Sequence, residues 1–394
     1  MSSRMSESSV ASRNPRRDFS TRLLRWYERS QRDLPWRRHR DPYAIWISEI
    51  MLQQTQVDTV RPYFERFIDR FPSVERLAGA PVEDVLTLWS GLGYYRRARY
   101  LHAAAQSIMP DHDGKFPAHL DEVLSLPGIG RNTAGAILSI AFNQSVPVVD
   151  GNVERVLCRV LAEKREMKSS VVQRRLWTEA EALIPNGRAR DFNQALMELG
   201  ALICQPDKPL CDQCPVRTCC RGHDLGKPER FPVRKPRRKA VPIDVAVLLI
   251  RHRGRYLMEW REPGQGKEGD PDYLQGIWNF PMAEVSDGNS KPTVLLSRVS
   301  RERGVSLQLG SHLGTARHTV TFRRITLHVW EAQVTVNGAS TASSRSKWKW
   351  ALPSQFGTNI AVPALARKAL AVVDRGDGDG APSGRRARRD ALTQ

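Results

Sequence analysis

Four cysteines at fixed spacing, Cys204-x6-Cys211-x2-Cys214-x5-Cys220, restrict this chain to a short list of folds. They place four thiols in one 17-residue loop that follows a run of apolar helical periodicity. Five of the six cysteines fall between Cys204 and Cys220, and no apolar secretory signal opens the chain. Clustered cysteines in that setting read as metal ligands and not as disulfides. Four thiolates suit either tetrahedral zinc or a [4Fe–4S] cluster. Zinc sites usually pair two tight knuckles, and this loop has only one, Cys211 to Cys214, so the spacing favours the cluster. Pro206, Pro209 and Pro215 stiffen the loop around it. Cys219 stands next to the last ligand and could replace it, while Cys158 lies on an apolar helical face and reads as core.

The periodicity divides the chain. From Phe19 to about Leu202 apolar residues recur at helical spacing, as in Val153, Val156, Leu157, Val160 and Leu161. The first three helices are expected at Phe19 to Tyr27, Ala44 to Val57 and Thr59 to Phe71, with a corner at Leu34-Pro35-Trp36-Arg37. Gly222 to Pro242 holds four prolines and the run Arg234-Lys235-Pro236-Arg237-Arg238-Lys239, which reads as a linker. Beyond it the pattern becomes β-branched with period two. Strands are expected at Ile243 to Ile250, Arg255 to Trp260, Ile325 to Val336 and Trp348 to Leu352, with helices at Thr293 to Arg303 and Pro363 to Val373. The expected architecture is therefore multidomain. It has a disordered basic arm (1–18), an all-α domain (19–221, with the cysteine loop at 204–220), a linker (222–241), an α+β domain (242–373) and a disordered tail (374–394). The composition of the arm would also fit a transit peptide.

At 394 residues the chain is long enough for two cores, and its net charge of +19 is the surplus expected of a polyanion binder. No apolar run approaches the roughly 18 residues of a transmembrane helix, so a membrane partner is not expected. The stretch Leu126 to Asp150, LPGIGRNTAGAILSIAFNQSVPVVD, sharpens the partner. A short helical run stops at Pro127, turns through Gly128-Ile129-Gly130 and restarts near Asn132. Such a turn can present backbone amides to an anion, here a DNA phosphate, or it can be an ordinary αα-hairpin. A buried segment, Val146 to Val149, then delivers the carboxylate of Asp150 to the start of another helix, which it could also cap.

The hairpin, the Val-Pro-Val-Val-Asp-Gly-Asn-Val run after it and the cysteine loop together resemble the endonuclease III superfamily of DNA glycosylases. Ser48 to Val57 (SEIMLQQTQV) and Gly91 to Tyr95 (GLGYY) are similar to the MutY-type adenine DNA glycosylases within it. The likeness is close from Leu34 to Cys220 and loose beyond. It implies an all-α helix-hairpin-helix domain with one [4Fe–4S] cluster on Cys204, Cys211, Cys214 and Cys220. It also implies that Glu49 protonates adenine at N7 while ionised Asp150 faces the sugar. Breaking an N-glycosidic bond wants both a proton on the leaving base and a stabilised oxocarbenium-like sugar, tasks that glycosidases divide between two carboxyl groups. On the residues alone, Glu49, Gln53 and Gln56 fall at i, i+4, i+7, one face of a helix, and a solvated polar face is the plainer reading.

The same resemblance makes Leu52, Gln54 and Tyr94 wedges that enter the DNA, and puts Trp36, Arg37 and Asn152 around the extrahelical adenine. Gln53, Gly128, Gly130 and Asn132 complete the expected DNA contacts. Asn132 stands where bifunctional relatives carry a Schiff-base lysine and where the MutY branch usually has Ser or Tyr. It cannot act as an amine nucleophile, so a monofunctional glycosylase using water is expected. Glu154 replaces a lysine found in some relatives.

Leu274-x-Gly276-Ile277-Trp278-x-Phe280-Pro281 resembles the entry to a Nudix (MutT-like) fold. The helix that should carry metal-binding glutamates keeps only Glu302 among arginines, which does not suit Mg²⁺. The resemblance implies a reader of 8-oxoguanine, with His318-Thr319-Val320-Thr321-Phe322 in place of the family's His-Thr-Phe-Ser-His; Thr321 keeps a hydroxyl. The expected substrate is double-stranded DNA containing A:8-oxoguanine or A:G, handled by a monomer, in the cytoplasm at the nucleoid if the source is bacterial. The competing expectations are an endonuclease III-like glycosylase/lyase on oxidised pyrimidines and a non-catalytic DNA-binding scaffold.

Overall fold

The computed structural model describes residues 15–235, 239–261, 276–285, 292–336 and 347–376. Along the chain its helices are α1 (Pro15–Ser30), α2 (Pro42–Leu52), α3 (Val57–Arg70), α4 (Val74–Ala78), α5 (Val82–Leu88), α6 (Arg96–Asp111), α7 (Leu120–Ser125), α8 (Arg131–Phe142), α9 (Gly151–Val160), α10 (Ser170–Leu183), α11 (Ala189–Leu202), α12 (Arg221–Asp224), α13 (Pro292–Arg303) and α14 (Ala364–Gly376). The strands are β1 (Val241–His252), β2 (Arg255–Trp260), β3 (Trp278–Asn279), β4 (Met282–Val285), β5 (Ser306–Val320), β6 (Arg323–Val336) and β7 (Trp348–Ala351). Contacts group the chain into two units, Met1–Pro81 with Arg97–Arg237 and Val82–Arg96 with Arg238–Gln394. The second grouping departs from the sequence expectation, since α5 and the Gly91–Tyr95 turn fall with the sheet. Within that unit Ser90 Oγ donates to Val362 O at 3.0 Å and Tyr95 OH to the same carbonyl at 3.3 Å.

The first unit is helical. Its axis is α8, whose residues from Thr133 to Ala141 are all buried, so this helix is apolar on every side as an interior helix must be. One core joins α1, α9, α10 and α11 through Phe19, Leu23, Val156, Leu157, Leu176, Phe192, Leu196 and Leu199. Each such side chain contributes about 1.5–3 kcal/mol by leaving water. Cys158 lies in this core.

Three boundaries differ from expectation, each for a local reason. Helix α1 begins at Pro15, inside the expected arm, because Pro suits a first helical turn and Arg16 is held by Glu179 at 2.9 Å. Helix α2 stops at Leu52 instead of running to Val57. Residues 222–233 are anchored and not a free linker, since Gly222, Phe231 and Pro232 are buried. The buried guanidinium of Arg159 donates to the carbonyls of Pro228 and Phe231, both at 3.0 Å, and so ties the stretch to α9. Of the expected basic run, residues 236–238 lie outside the described residues, as do residues 1–14 of the arm and 377–394 of the tail.

The second unit carries a mixed sheet with the path β3-β2-β1-β6-β5, β4 beside β1 and β7 beside β2. Strands β1 and β6 run parallel, with Val245 opposite Leu327. Alternate residues of β1 enter two cores, Val245, Val247 and Leu249 on the α14 side and Ala246, Leu248 and Ile250 on the α13 side. That double burial explains its continuous apolar run. Strand β5 was not expected. It is an edge strand with alternating exposure and register shifts around His312, so its sequence has no sustained apolar side. No helix among the described residues is long and apolar enough to cross a membrane.

Candidate active site

Helix α2 and the segment before α9 bring two carboxylates to one cleft of about 980 Å³. Asp41 caps α2 by accepting from Tyr43 N, Pro42 starts it, and Ile47, Ile50 and Met51 bury its inner face. Glu49 is left turned into the cleft. Burial pushes its carboxyl up to about 7, the nearby Asp150 adds to the rise, and Arg37 opposes it.

Asp150 caps α9. Its Oδ1 accepts from Asn152 N at 2.9 Å and Val153 N at 2.8 Å, and its Oδ2 from Asn152 Nδ2 at 3.0 Å. Burial raises its pKa above the ordinary carboxylate value, while these three hydrogen bonds and Arg155 pull it back. Asn132, at the second position of α8, accepts from Val149 N at 2.9 Å through Oδ1.

Trp36, Arg37, Leu52, Gln53, Gln54, Asn132 and Asn152 line the same cleft as the two carboxylates. Trp36 is buried and meets Phe64 edge-on at 5.4 Å, so it is core and cleft wall at once. Glu49, Gln53 and Gln56 share the cleft but not one helical face, because Gln53 is the C-cap of α2 and Gln56 the N-cap of α3. What ends α2 is Arg97. Its Nη1 donates to Ile50 O, Met51 O and Gln53 O at 2.7, 2.9 and 2.6 Å, and its Nη2 to Thr55 Oγ1 at 3.2 Å. These are orphan carbonyls of a helix C-terminus, satisfied by a cation. Gln54, exposed in the turn so formed, adopts φ 56°. The guanidinium fork of Arg97 is thus engaged by this turn.

Gly128 and Gly130 do not line the cleft, and Tyr94, His318 and Thr321 belong to the second unit. Gly128 has φ +78°, and a Cβ there would lie 2.6 Å from Tyr100 Cβ, so glycine is required. Gly130 has an extended backbone and open space where a Cβ would be; it forms the N-terminus of α8. Tyr94 is exposed with φ 50°. In the second unit His318 ends near the tip of the β5–β6 hairpin, where burial lowers its pKa with help from Lys368. Thr321 sits at the tip itself, φ 53°, exposed and donating to Val320 O at 2.7 Å. Glu302 accepts from Lys347 at 2.6 Å, and Arg298 donates to Glu259. Leu274 of the Nudix-like motif lies outside the described residues.

Sequence reasoning missed the groups that hold the cleft together. Glu198, almost wholly buried, receives Arg32 Nη2 at 2.7 Å and Arg37 Nη2 at 2.9 Å. Burial alone would raise its carboxyl, but the hydrogen bonds from Arg32 and Arg37 hold it down at about 2. A carboxylate inside the apolar stripe Ala195, Leu196, Leu199 was the available signal. Arg155 donates to Asn152 Oδ1 at 2.8 Å, Gly200 O at 2.8 Å and Cys204 O at 2.7 Å, joining the Asp150 cap to the cysteine loop.

Cys204, Cys211, Cys214 and Cys220 line one small cavity with Arg159, and Arg159 Nη1 reaches Cys204 Sγ at 3.2 Å. Among the described residues no three Cys, His, Asp or Glu converge tightly enough for a single metal ion. Cys219 is not in that wall; its Sγ lies 3.7 Å from Asp18 Oδ2.

Residues 47–182 match the HhH-GPD superfamily of base excision DNA repair proteins, and residues 245–372 match a NUDIX domain. The chain is 35% identical to the mouse adenine DNA glycosylase over 386 residues, covering 84% of this chain and 73% of the mouse protein. With the human adenine DNA glycosylase it shares 47% identity over 222 residues, 54% of this chain but 41% of the human one. A solved thermostable thymine-DNA glycosylase is 31% identical, with a TM-score of 0.50, over 54% of this chain and 97% of that one. A cleft with paired carboxylates behind a helix-hairpin-helix agrees with these likenesses, and the chain belongs to the adenine DNA glycosylase family of base excision DNA N-glycosylases.

Proposed function

We propose that this protein hydrolyses the N-glycosidic bond of adenine mispaired with 8-oxoguanine or guanine in duplex DNA, without a lyase step. The observation that carries the reading is the pairing of Glu49 and Asp150 in one cleft with unequal environments. Glu49, its carboxyl pushed up to about 7 by burial, retains a proton near neutral pH and donates it to adenine N7. The C1′–N9 bond then breaks, its electrons going to the base. Asp150, whose carboxylate form the three donors favour against its burial, faces the developing positive charge at C1′. Water adds to C1′ and its proton leaves through the Glu49 carboxylate, restoring the acid.

Opening the duplex costs a few kcal/mol of stacking, which inserted side chains offset. Leu52 and Gln54 at the turn ending α2, and Tyr94, are proposed for that role, supported by the exposure of Gln54 and Tyr94. Trp36, Arg37 and Asn152 border the extrahelical adenine, and Gln53, which donates to Thr133 Oγ1 at 3.2 Å, steadies the wall beside them. Gly128 and Gly130 offer α8's N-terminal amides to a backbone phosphate. His318 and Thr321 read the partner base from the β5–β6 hairpin tip. An uncharged Asn132 in the nucleophile's position is what supports hydrolysis over β-elimination.

Cys204, Cys211, Cys214 and Cys220 would hold a [4Fe–4S] cluster. Bound there, it would supply thiolate–iron bonds that fix the 204–220 loop, and Arg155 and Arg159 would carry that order to α9. The roles of the carboxylates are tested with Glu49→Gln and Asp150→Asn in the full protein. Each is expected to abolish adenine release while leaving duplex affinity, and full activity in both would overturn the assignment.

A further inference from the structure

We infer that Asn132 is a positioning residue that sets Asp150 by fastening the backbone just before it; this rests on the reading that Asp150 faces the reacting sugar. Asn132 was expected to touch DNA. Its Oδ1 is instead occupied by Val149 N, one residue ahead of the carboxylate. Val146 to Val149 belongs to no strand or helix; Val146 N donates to Gln144 O at 2.7 Å, and side chains hold polar groups at both ends of the segment. Asn193 Nδ2 holds Val146 O at 2.8 Å, and Asn132 holds Val149 N, pinning the segment at both ends.

The two anchors belong to packed helices. Asn132 opens the buried helix α8, and Asn193, 1% exposed, sits in α11. The segment's last pinned atom decides where the chain enters α9. Asp150 must enter with φ −80° and ψ 179° for its Oδ1 to reach both Asn152 N and Val153 N. An amide oxygen is the suitable acceptor, because a carboxylate at residue 132 would add a further negative charge to the cleft that holds Glu49 and Asp150. A residue that stands in the nucleophile's place thus fixes the carboxylate that the hydrolytic route depends on.

The test compares wild type and Asn132→Ala as full-length protein in single-turnover adenine release across pH, with affinity for uncleavable duplex measured alongside. The Ala variant is expected to lose about tenfold or more in rate, with affinity within about threefold. The acid limb should move to higher pH, as Asp150 loses its cap donors and burial is less opposed. A purely structural role would scale the rates without moving that limb. Amide exchange at Val149 should be slow in the wild type and faster in the variant. A rate within about twofold of wild type, a loss confined to affinity, or rapid Val149 exchange in the folded wild type would each overturn the inference. The exchange measurement decides the matter even if the variant does not fold. Glu49→Gln and Asp150→Asn run in parallel separate the two failures. If they are inactive while Asn132→Ala is unimpaired, only the positioning role falls.

Discussion

Asn152 grips Asp150 twice, donating its backbone N–H to Oδ1 at 2.9 Å and its side-chain Nδ2 to Oδ2 at 3.0 Å. The side chain is itself set by Arg155, which donates to Asn152 Oδ1. Asn152→Ala therefore removes one of three bonds to the carboxylate and leaves Arg155 short of an acceptor. A hydrogen bond to a charged group contributes about 1.5–3 kcal/mol, so adenine release should fall by about 10- to 100-fold. The acid limb of the rate profile should move up, which a pH series under single turnover will read.

The two carboxyls predict a bell-shaped profile. Glu49 must be protonated, so release falls as pH rises through about 7. Asp150 must be ionised, so release falls again in acid, at a pH above the ordinary carboxylate value of 3.8.

Glu49 also links pH to stability. Its folded pKa of about 7 exceeds the ordinary 4.5, so between those values the folded state binds more protons than the unfolded. Glu49's favourable term is complete below 4.5 and is lost as pH rises through about 7. By pH 8 the ionised group costs up to about 3 kcal/mol. Glu49→Gln should therefore be more resistant to urea than wild type at about pH 8 and little different at about pH 4. Equal midpoints at the higher pH would count against a raised pKa.

Glu198 runs the other way. Its pKa of about 2 lies below the ordinary 4.5, so its stabilising contribution is present above 4.5 and is lost as pH falls toward 2. Removing it strands Arg32 and Arg37. Glu198→Ala should destabilise the folded protein by about 3–5 kcal/mol at neutral pH, as breaking buried pairs does. Urea titration at neutral pH and at about pH 3 should show the gap between the proteins narrowing in acid.

Gly200 sits in α11, where alanine would ordinarily favour the helix by about 1 kcal/mol. Here a Cβ would lie 2.6 Å from Asn152 Cβ, and overpacking of that kind costs about 1–3 kcal/mol. The second effect wins. Gly200→Ala should lower the rate of base release by moving Asn152, with secondary structure retained by circular dichroism.

The parts legible in the sequence are those written in local pattern. Helical spacing gave the helices around α8, Asp150 before Gly151-Asn152-Val153 read as a cap, and four cysteines at fixed spacing read as one loop. What escaped depended on partners far along the chain. The end of α2 at Leu52 is decided by Arg97, 45 residues on from Leu52, and a helix-forming sequence through Val57 gives no warning of it. Glu198 looked like one more charge until Arg32 and Arg37 met it. Residues 222–233 looked like a linker because the group that anchors them, Arg159 on Pro228 O and Phe231 O, lies far back in α9. Strand β5 stayed hidden because an edge strand buries little, and its register slips around His312.

The most direct measurement of the central claim is single-turnover base release from matched duplexes with adenine opposite 8-oxoguanine, guanine or thymine. Free adenine should appear fastest opposite 8-oxoguanine, more slowly opposite guanine and least opposite thymine, with the strand left intact until the abasic site is cleaved chemically. Equal release from all three duplexes, or covalent trapping by borohydride with prompt strand cleavage, would contradict the account.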